Sequence, residues 1–127
     1  PVNAATLELI HRRKTASLIS ASCEIGALFG NDSATNRMKL KTYGESIGLA
    51  FQIADDVLNE TGTADQLGKA AGSDRERQKA TYPAVYGIDE SRAKAYQLVE
   101  TAVQSVKGLK HEDLLMSLAR YSVERLN

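Results

Sequence analysis

Apolar residues along the chain recur mostly three and four apart, the spacing of one face of an α-helix. Asn3 is of the type that accepts from the free N–H groups of a first turn, so a helix is predicted to open at Ala4. Leu7, Ile10 and Lys14 share a face of it. The apolar run continues through Leu18, Ile19, Cys23, Ile25 and Leu28 until Gly30, Asn31 and Asp32 stop it. The pattern leaves open whether this is one helix or two joined near Lys14 and Thr15. Ser33 suits the cap of a second long helix, predicted from 34 to about 60. There Met38, Leu40, Tyr43, Ile47, Phe51, Ile53, Val57 and Leu58 cover most of the circumference, which reads as burial on most sides. Gly44 and Gly48 leave room for a neighbouring helix to come close.

The periodicity fails between 61 and 80, where Gly62, Gly68 and Gly72 punctuate a polar stretch and only 64–67 suggests a turn of helix. A loop of about twenty residues in a compact domain is usually kept for function. Pro83 in Thr81-Tyr82-Pro83 suits the first turn of a short helix that Gly87 ends. Asp89 is predicted to cap the next helix, through about 108, with Ala93, Tyr96, Leu98, Val99, Ala102, Val103 and Val106 as its stripe. A last helix is predicted over 112–126, using Leu114, Leu115, Leu118, Tyr121 and Leu126. No segment alternates as a strand would and no repeat is visible, so the predicted class is all-α.

Composition narrows the partners. A chain of 127 residues suits one domain or a piece of a larger one, and 43% hydrophobic residues suffice for a core. The 16 basic side chains cancel the 16 acidic ones, so no global field draws nucleic acid or an anionic membrane, and any anion site must be local. The single cysteine, Cys23, excludes an intrachain disulfide and fits a reducing compartment such as the cytoplasm. Among Ala21, Ile25 and Ala27 it reads as a small buried residue. No apolar run reaches the roughly 18 residues of a membrane span.

The candidate chemistry lies on the second long helix. Gln52, Asp55, Asp56 and Asn59 stand at i, i+3, i+4 and i+7 and so share a face. Two adjacent carboxylates among Phe51, Ile53, Ala54, Val57 and Leu58 repel each other and lose solvation. A cation relieves both penalties. Magnesium takes one or two carboxylates, keeps several waters and completes its shell with substrate phosphates. The pattern equally allows a solvent-facing pair, or one bridged by Lys or Arg from another helix. Lys69 and Lys79 follow in a glycine-bearing segment, where they can face a metal-bound phosphate or simply be solvated. In His11-Arg12-Arg13-Lys14-Thr15 four consecutive potential cations cannot share one helix face. Lys14 reads as inward, Arg12 and Arg13 as solvated, and His11 as a surface or structural histidine.

In order along the chain, the segments Ile10-His11-Arg12-Arg13-Lys14-Thr15, Phe51-Gln52 with Asp55-Asp56, Gly68-Lys69, Asp74 and Lys79-Ala80-Thr81-Tyr82-Pro83 resemble the second half of the trans-isoprenyl diphosphate synthases, the farnesyl and geranylgeranyl diphosphate synthase family. The resemblance covers 7 to about 90 well and the last two helices only generally. It implies helices from the C-terminal part of the isoprenoid synthase bundle, in a parent that is usually a homodimer. It also implies a reaction joining isopentenyl diphosphate to an allylic diphosphate, assisted by Mg2+ on two aspartate-rich motifs. By the same resemblance Asp55 leads the metal ligands, with Asp56 and Asn59 behind it. Lys14, Lys69 and Lys79 contact the allylic diphosphate. Thr15 and Gln52 lie near the developing cation, and Phe51 lines the substrate cavity.

Two departures from the family pattern matter. Asn59 stands where a third Asp is usual, which weakens that end of the metal site. No second Asp-Asp pair occurs, so the first aspartate-rich motif is missing. The expectation is therefore that residues 1–127 are a C-terminal fragment of a single prenyl diphosphate synthase domain. Its parent is expected to be a Mg2+-dependent prenyltransferase, and the piece alone to be inactive and to expose apolar surface that it covers by pairing with itself or with the rest of its parent. The alternatives are a non-catalytic subunit of a heteromeric synthase and a helical interaction module without a ligand.

Overall fold

A computed structural model describes residues 3–30, 33–61 and 81–127. The described residues are mostly helical, with no strand among them: α1 (Ala4–His11), α2 (Ser17–Phe29), α3 (Ala34–Thr61), α4 (Tyr82–Tyr86), α5 (Ile88–Ser105), α6 (Glu112–Tyr121) and a 3₁₀ turn at Glu124–Leu126. The N-caps predicted at Asn3 and Ser33 form. Asn3 Oδ1 accepts from the Thr6 amide at 2.8 Å and Ser33 Oγ from the Asn36 amide at 3.1 Å. Asn31, Asp32, the 64–67 turn and the glycine-bearing segment fall outside the described residues.

Helices α1 and α2 form one continuous rod, joined by a π-turn at Arg12–Ala16 in which the Ser17 amide donates to the Arg12 carbonyl. The π-turn adds one residue to a single turn and changes which face looks inward. Buried positions run from Leu7 to His11, then by a step of five to Ala16, then to Ser20 and Ala27. The inward stripe of α2 is therefore made of small side chains, with Cys23 half-buried between them. Leu18, Ile25 and Leu28, which a uniform 3.6-residue period assigns to the core, are 70%, 52% and 57% exposed.

The small stripe meets the two glycines of α3. A Cβ on Gly48 would lie 2.6 Å from Ala16 Cα, and one on Gly44 would lie 2.7 Å from Ser20 Cα. No side chain fits there, so the backbones of α2 and α3 touch, as the glycine spacing predicts. Helix α3, at 28 residues, is the central element and lies between α2 and α5. Leu49, Ile53 and Val57 of α3 form the core with Val99, Val103 and Val106. Tyr43 ties α6 to this core by donating to the Leu115 carbonyl at 2.7 Å, and burial pushes its phenol up to about 12.

The C-terminal boundaries differ from the sequence expectation. Gly87, at φ 85°, is itself the N-cap of α5, a backbone shape that L side chains rarely adopt. Asp89 therefore lies inside the first turn instead of capping it. There, with Glu90, it faces the positive end of the helix dipole. The helix stops at Ser105, short of 108. The last helix ends at Tyr121, and the chain tightens into the 3₁₀ turn that buries Val123 and Leu126. Among the described residues no helix is long and apolar enough to cross a membrane.

Candidate functional site

The polar stripe of α3 falls into separate environments. Successive helical residues are about 100° apart, so residues 51, 55, 59, 52 and 56 fan in that order around the axis. Phe51 and Asp55 lie at the open edge, Gln52 is half-buried, and Asp56 and Asn59 are buried at 3% and 1% exposure. One turn of α3 thus carries two carboxylates with opposite surroundings.

Asp56 is the hub of a closed hydrogen-bond network. Its Oδ2 accepts from His11 Nε2 at 2.9 Å and from the Tyr82 amide at 2.9 Å. Its Oδ1 accepts from Gln52 Nε2 at 3.2 Å. Gln52 Oε1 accepts in turn from the Thr15 hydroxyl at 3.0 Å. A carboxylate only accepts, so the His11 proton sits on Nε2 and the Gln52 amide is oriented with its nitrogen toward Asp56. Three donors offset the desolvation of the buried charge. The π-turn and the residue just before it contribute, since His11 precedes the turn and Thr15 belongs to it. The wide turn is what lets these two residues reach Asp56 and Gln52 on α3 while Ala16 still seats against Gly48.

His11 was legible only as a surface or structural histidine, and the structure decides for burial, at 4% exposure. The available signal was its position four residues after Leu7, on the same face. Its ring stacks on Tyr82, with centroids 6.1 Å apart, and Tyr82 stacks on Tyr86. Burial, with Glu8 close by, holds the Tyr82 phenol well above its ordinary value. Lys14, expected to turn inward, is exposed together with Arg12 and Arg13, because the π-turn swings Thr15 and not Lys14 toward α3.

Asp55 differs from its neighbour. It is half-exposed, and among the described residues it enters no ion pair. The bridge to Lys or Arg that the pattern allowed is absent there. Asp56, expected as a further metal ligand, has both oxygens committed to protein donors. Among the described residues no three His, Cys, Asp or Glu side chains gather as a metal cage. A single available carboxylate is the donor set suited to an ion that completes its shell with water and phosphate oxygens.

Beside Asp55 on the open edge, Phe51 is 41% exposed and lines a cleft of about 380 Å3 with Ile19, Ile47, Leu118 and Tyr121. The Arg125 guanidinium carbon stands 5.1 Å from the centroid of the Phe51 ring. Sequence reasoning missed Arg125, which has no helical neighbour on the stripe to flag it. Lys69, Lys79 and Asp74 fall outside the described residues.

Comparison with known proteins identifies the family. The family model described as polyprenyl synthetase matches residues 2–119. The chain belongs to the polyprenyl synthetase family. It is 44% identical over 124 residues to farnesyl diphosphate synthase of Escherichia coli (strain K12), covering 94% of this chain and 42% of that protein. It is 42% identical over 123 residues to the mitochondrial geranylgeranyl pyrophosphate synthase 6 of Arabidopsis thaliana, covering 95% and 37%. Among solved structures, heptaprenyl diphosphate synthase from Staphylococcus aureus superposes with a TM-score of 0.91 at 27% identity, covering 99% of this chain and 52% of that one. The chain thus spans less than half the length of these curated relatives of the polyprenyl synthetase family. Their helical-bundle fold accounts for the all-α architecture.

Proposed function

We propose that this chain forms the C-terminal part of a short-chain prenyl diphosphate synthase, which joins isopentenyl diphosphate to an allylic diphosphate with the help of Mg2+. The observation that carries the reading is the division of labour between adjacent carboxylates: Asp56 buried and saturated by protein donors, Asp55 half-exposed and free of ion pairing among the described residues. A carboxylate left in that state beside a cleft suits a metal-bound diphosphate. A plain interaction module has no need of it.

In this reading Asp55 is the metal ligand, Asn59 stands behind it, and Asp56 holds the frame. Bound Mg2+ supplies positive charge that stabilises the departing diphosphate. Lys14, Lys69 and Lys79 add ammonium groups to the same leaving group. Thr15 and Gln52 turn oxygen dipoles toward the allylic carbon as it loses its diphosphate, and Phe51 covers it from water. The parent works as a homodimer in a reducing compartment, the cytoplasm, which the lone Cys23 supports. A facing aspartate-rich motif is supplied from outside these 127 residues, so this chain alone does not turn over.

Titrating this chain with a non-hydrolysable allylic diphosphate tests the reading. Binding is expected to require Mg2+ and to disappear in Asp55→Ala. Binding that is indifferent to Asp55 would overturn it, and product formation by the isolated chain would overturn only the reading of this piece as inactive alone.

A further inference from the structure

The hydrogen bonds around Asp56 have a direction. His11 Nε2–H, the Tyr82 amide and the Gln52 amide all donate to the carboxylate, and the Thr15 hydroxyl donates to Gln52. Every proton in the chain of contacts points toward Asp56. A threonine hydroxyl has one proton, and here Gln52 takes it. What half-exposed Thr15 has left to offer a ligand is acceptor lone pairs only. A reversed chain, with Gln52 donating to Thr15, would present an O–H proton instead.

Asp56 sets this direction only while it stays inward, and buried carboxylates stay inward only while donors hold them. The Tyr82 amide belongs to the backbone and Gln52 is part of the relay. Among the described residues the one independent side-chain donor is His11. Its other nitrogen, Nδ1, is buried and has no partner among the described residues, so His11 meets the network through Nε2 alone.

We infer that His11 is a positioning residue which, by pinning Asp56, fixes the polarity of the Gln52–Thr15 pair so that it presents oxygen lone pairs to a cationic group. The inference rests on the proposed prenyl-transfer reading and adds to it the residue that sets which way the Gln52–Thr15 pair points. Loss of such an outer partner typically weakens the group it supports by about tenfold or more.

Two substitutions test it. The side-chain nitrogen of Gln reaches the place of Nε2, and that of Asn reaches the place of Nδ1. His11→Gln therefore keeps the donor and His11→Asn removes it, at similar polarity and burial. The probes are 3-methylbut-2-enylammonium and its neutral alcohol isostere, each titrated with Mg2+ and inorganic pyrophosphate and followed by amide NMR shifts. The wild type and His11→Gln are expected to prefer the ammonium probe. His11→Asn is expected to lose about tenfold of that preference and to exchange the Tyr82 amide faster. Equal preference in the two variants would overturn the inference while leaving the prenyl-transfer reading intact. Failure of the wild type to bind pyrophosphate with Mg2+ would overturn both readings.

Discussion

The two sides of α3 near residue 50 are built on opposite principles. On the side of α1, the π-turn, the start of α2 and α4, backbones touch at Gly44 and Gly48, and the polar side chains of the Asp56 hub meet named partners. On the side of α6 and the 3₁₀ turn, Phe51, Leu118 and Tyr121 line a cleft and stay exposed. Close packing and saturated hydrogen bonds make the first side intolerant of change. The second side has surface to spare, and exposed apolar patches of this kind mark a place where something binds. Asp55 sits on the border, positioned by the rigid side and available to the open one.

The sharpest way to break this contrast is Asp56→Ala. It leaves His11, the Tyr82 amide and Gln52 without their acceptor, and we expect a loss of about 3–5 kcal/mol in urea unfolding. A loss as small as that of a surface change would show that the hub does not hold the fold. Next comes Gly48→Ala. Its methyl meets the Ala16 backbone, and separating α2 from α3 outweighs the gain in helix propensity, for a net cost of about 2 kcal/mol. Unchanged stability would mean that the helices have room to spare.

Tyr43→Phe probes the tie between α6 and the core, and removing its bond to the Leu115 carbonyl costs about 1 kcal/mol. It also changes the alkaline limb. The folded state keeps the Tyr43 phenol protonated up to about 12, against 10.0 for the ordinary group. The stability linked to that proton is complete below about 10 and is lost as the pH rises through about 12. Unfolding followed from pH 9 to 12 is expected to fall less steeply in the variant, with Tyr82 supplying the remaining slope. The smallest effect belongs to the open side: Leu114→Ser, at a side chain 60% exposed, stays within about 0.5 kcal/mol of the parent. A larger loss there would show that this face is packed in solution.

Much of this was readable from residue order. Period and caps place α3 to within a residue, because Ser33 and the apolar run over 38–58 carry a local signal. Gly44 and Gly48 announce the close approach because nothing else in a helix lacks a side chain. The face of α2 was not readable. The π-turn inserts a residue without leaving a mark in composition, and every position after Ala16 is rotated relative to a uniform count. The helix pattern likewise did not separate Asp55 from Asp56, which only the family resemblance ranked, since adjacent identical side chains differ only in what surrounds them.

What the amino-acid order determined by itself is the helical class, the position of the carboxylates on one long helix, and the family through an ordered set of short motifs. Those are local properties of the chain. Which carboxylate stays open, which histidine is buried, and which way the protons of Gln52 and Thr15 point were decided by tertiary structure. They depend on His11, Thr15 and Tyr82, from 26 to 45 residues away along the chain from their partners on α3, arriving within about 3 Å of them.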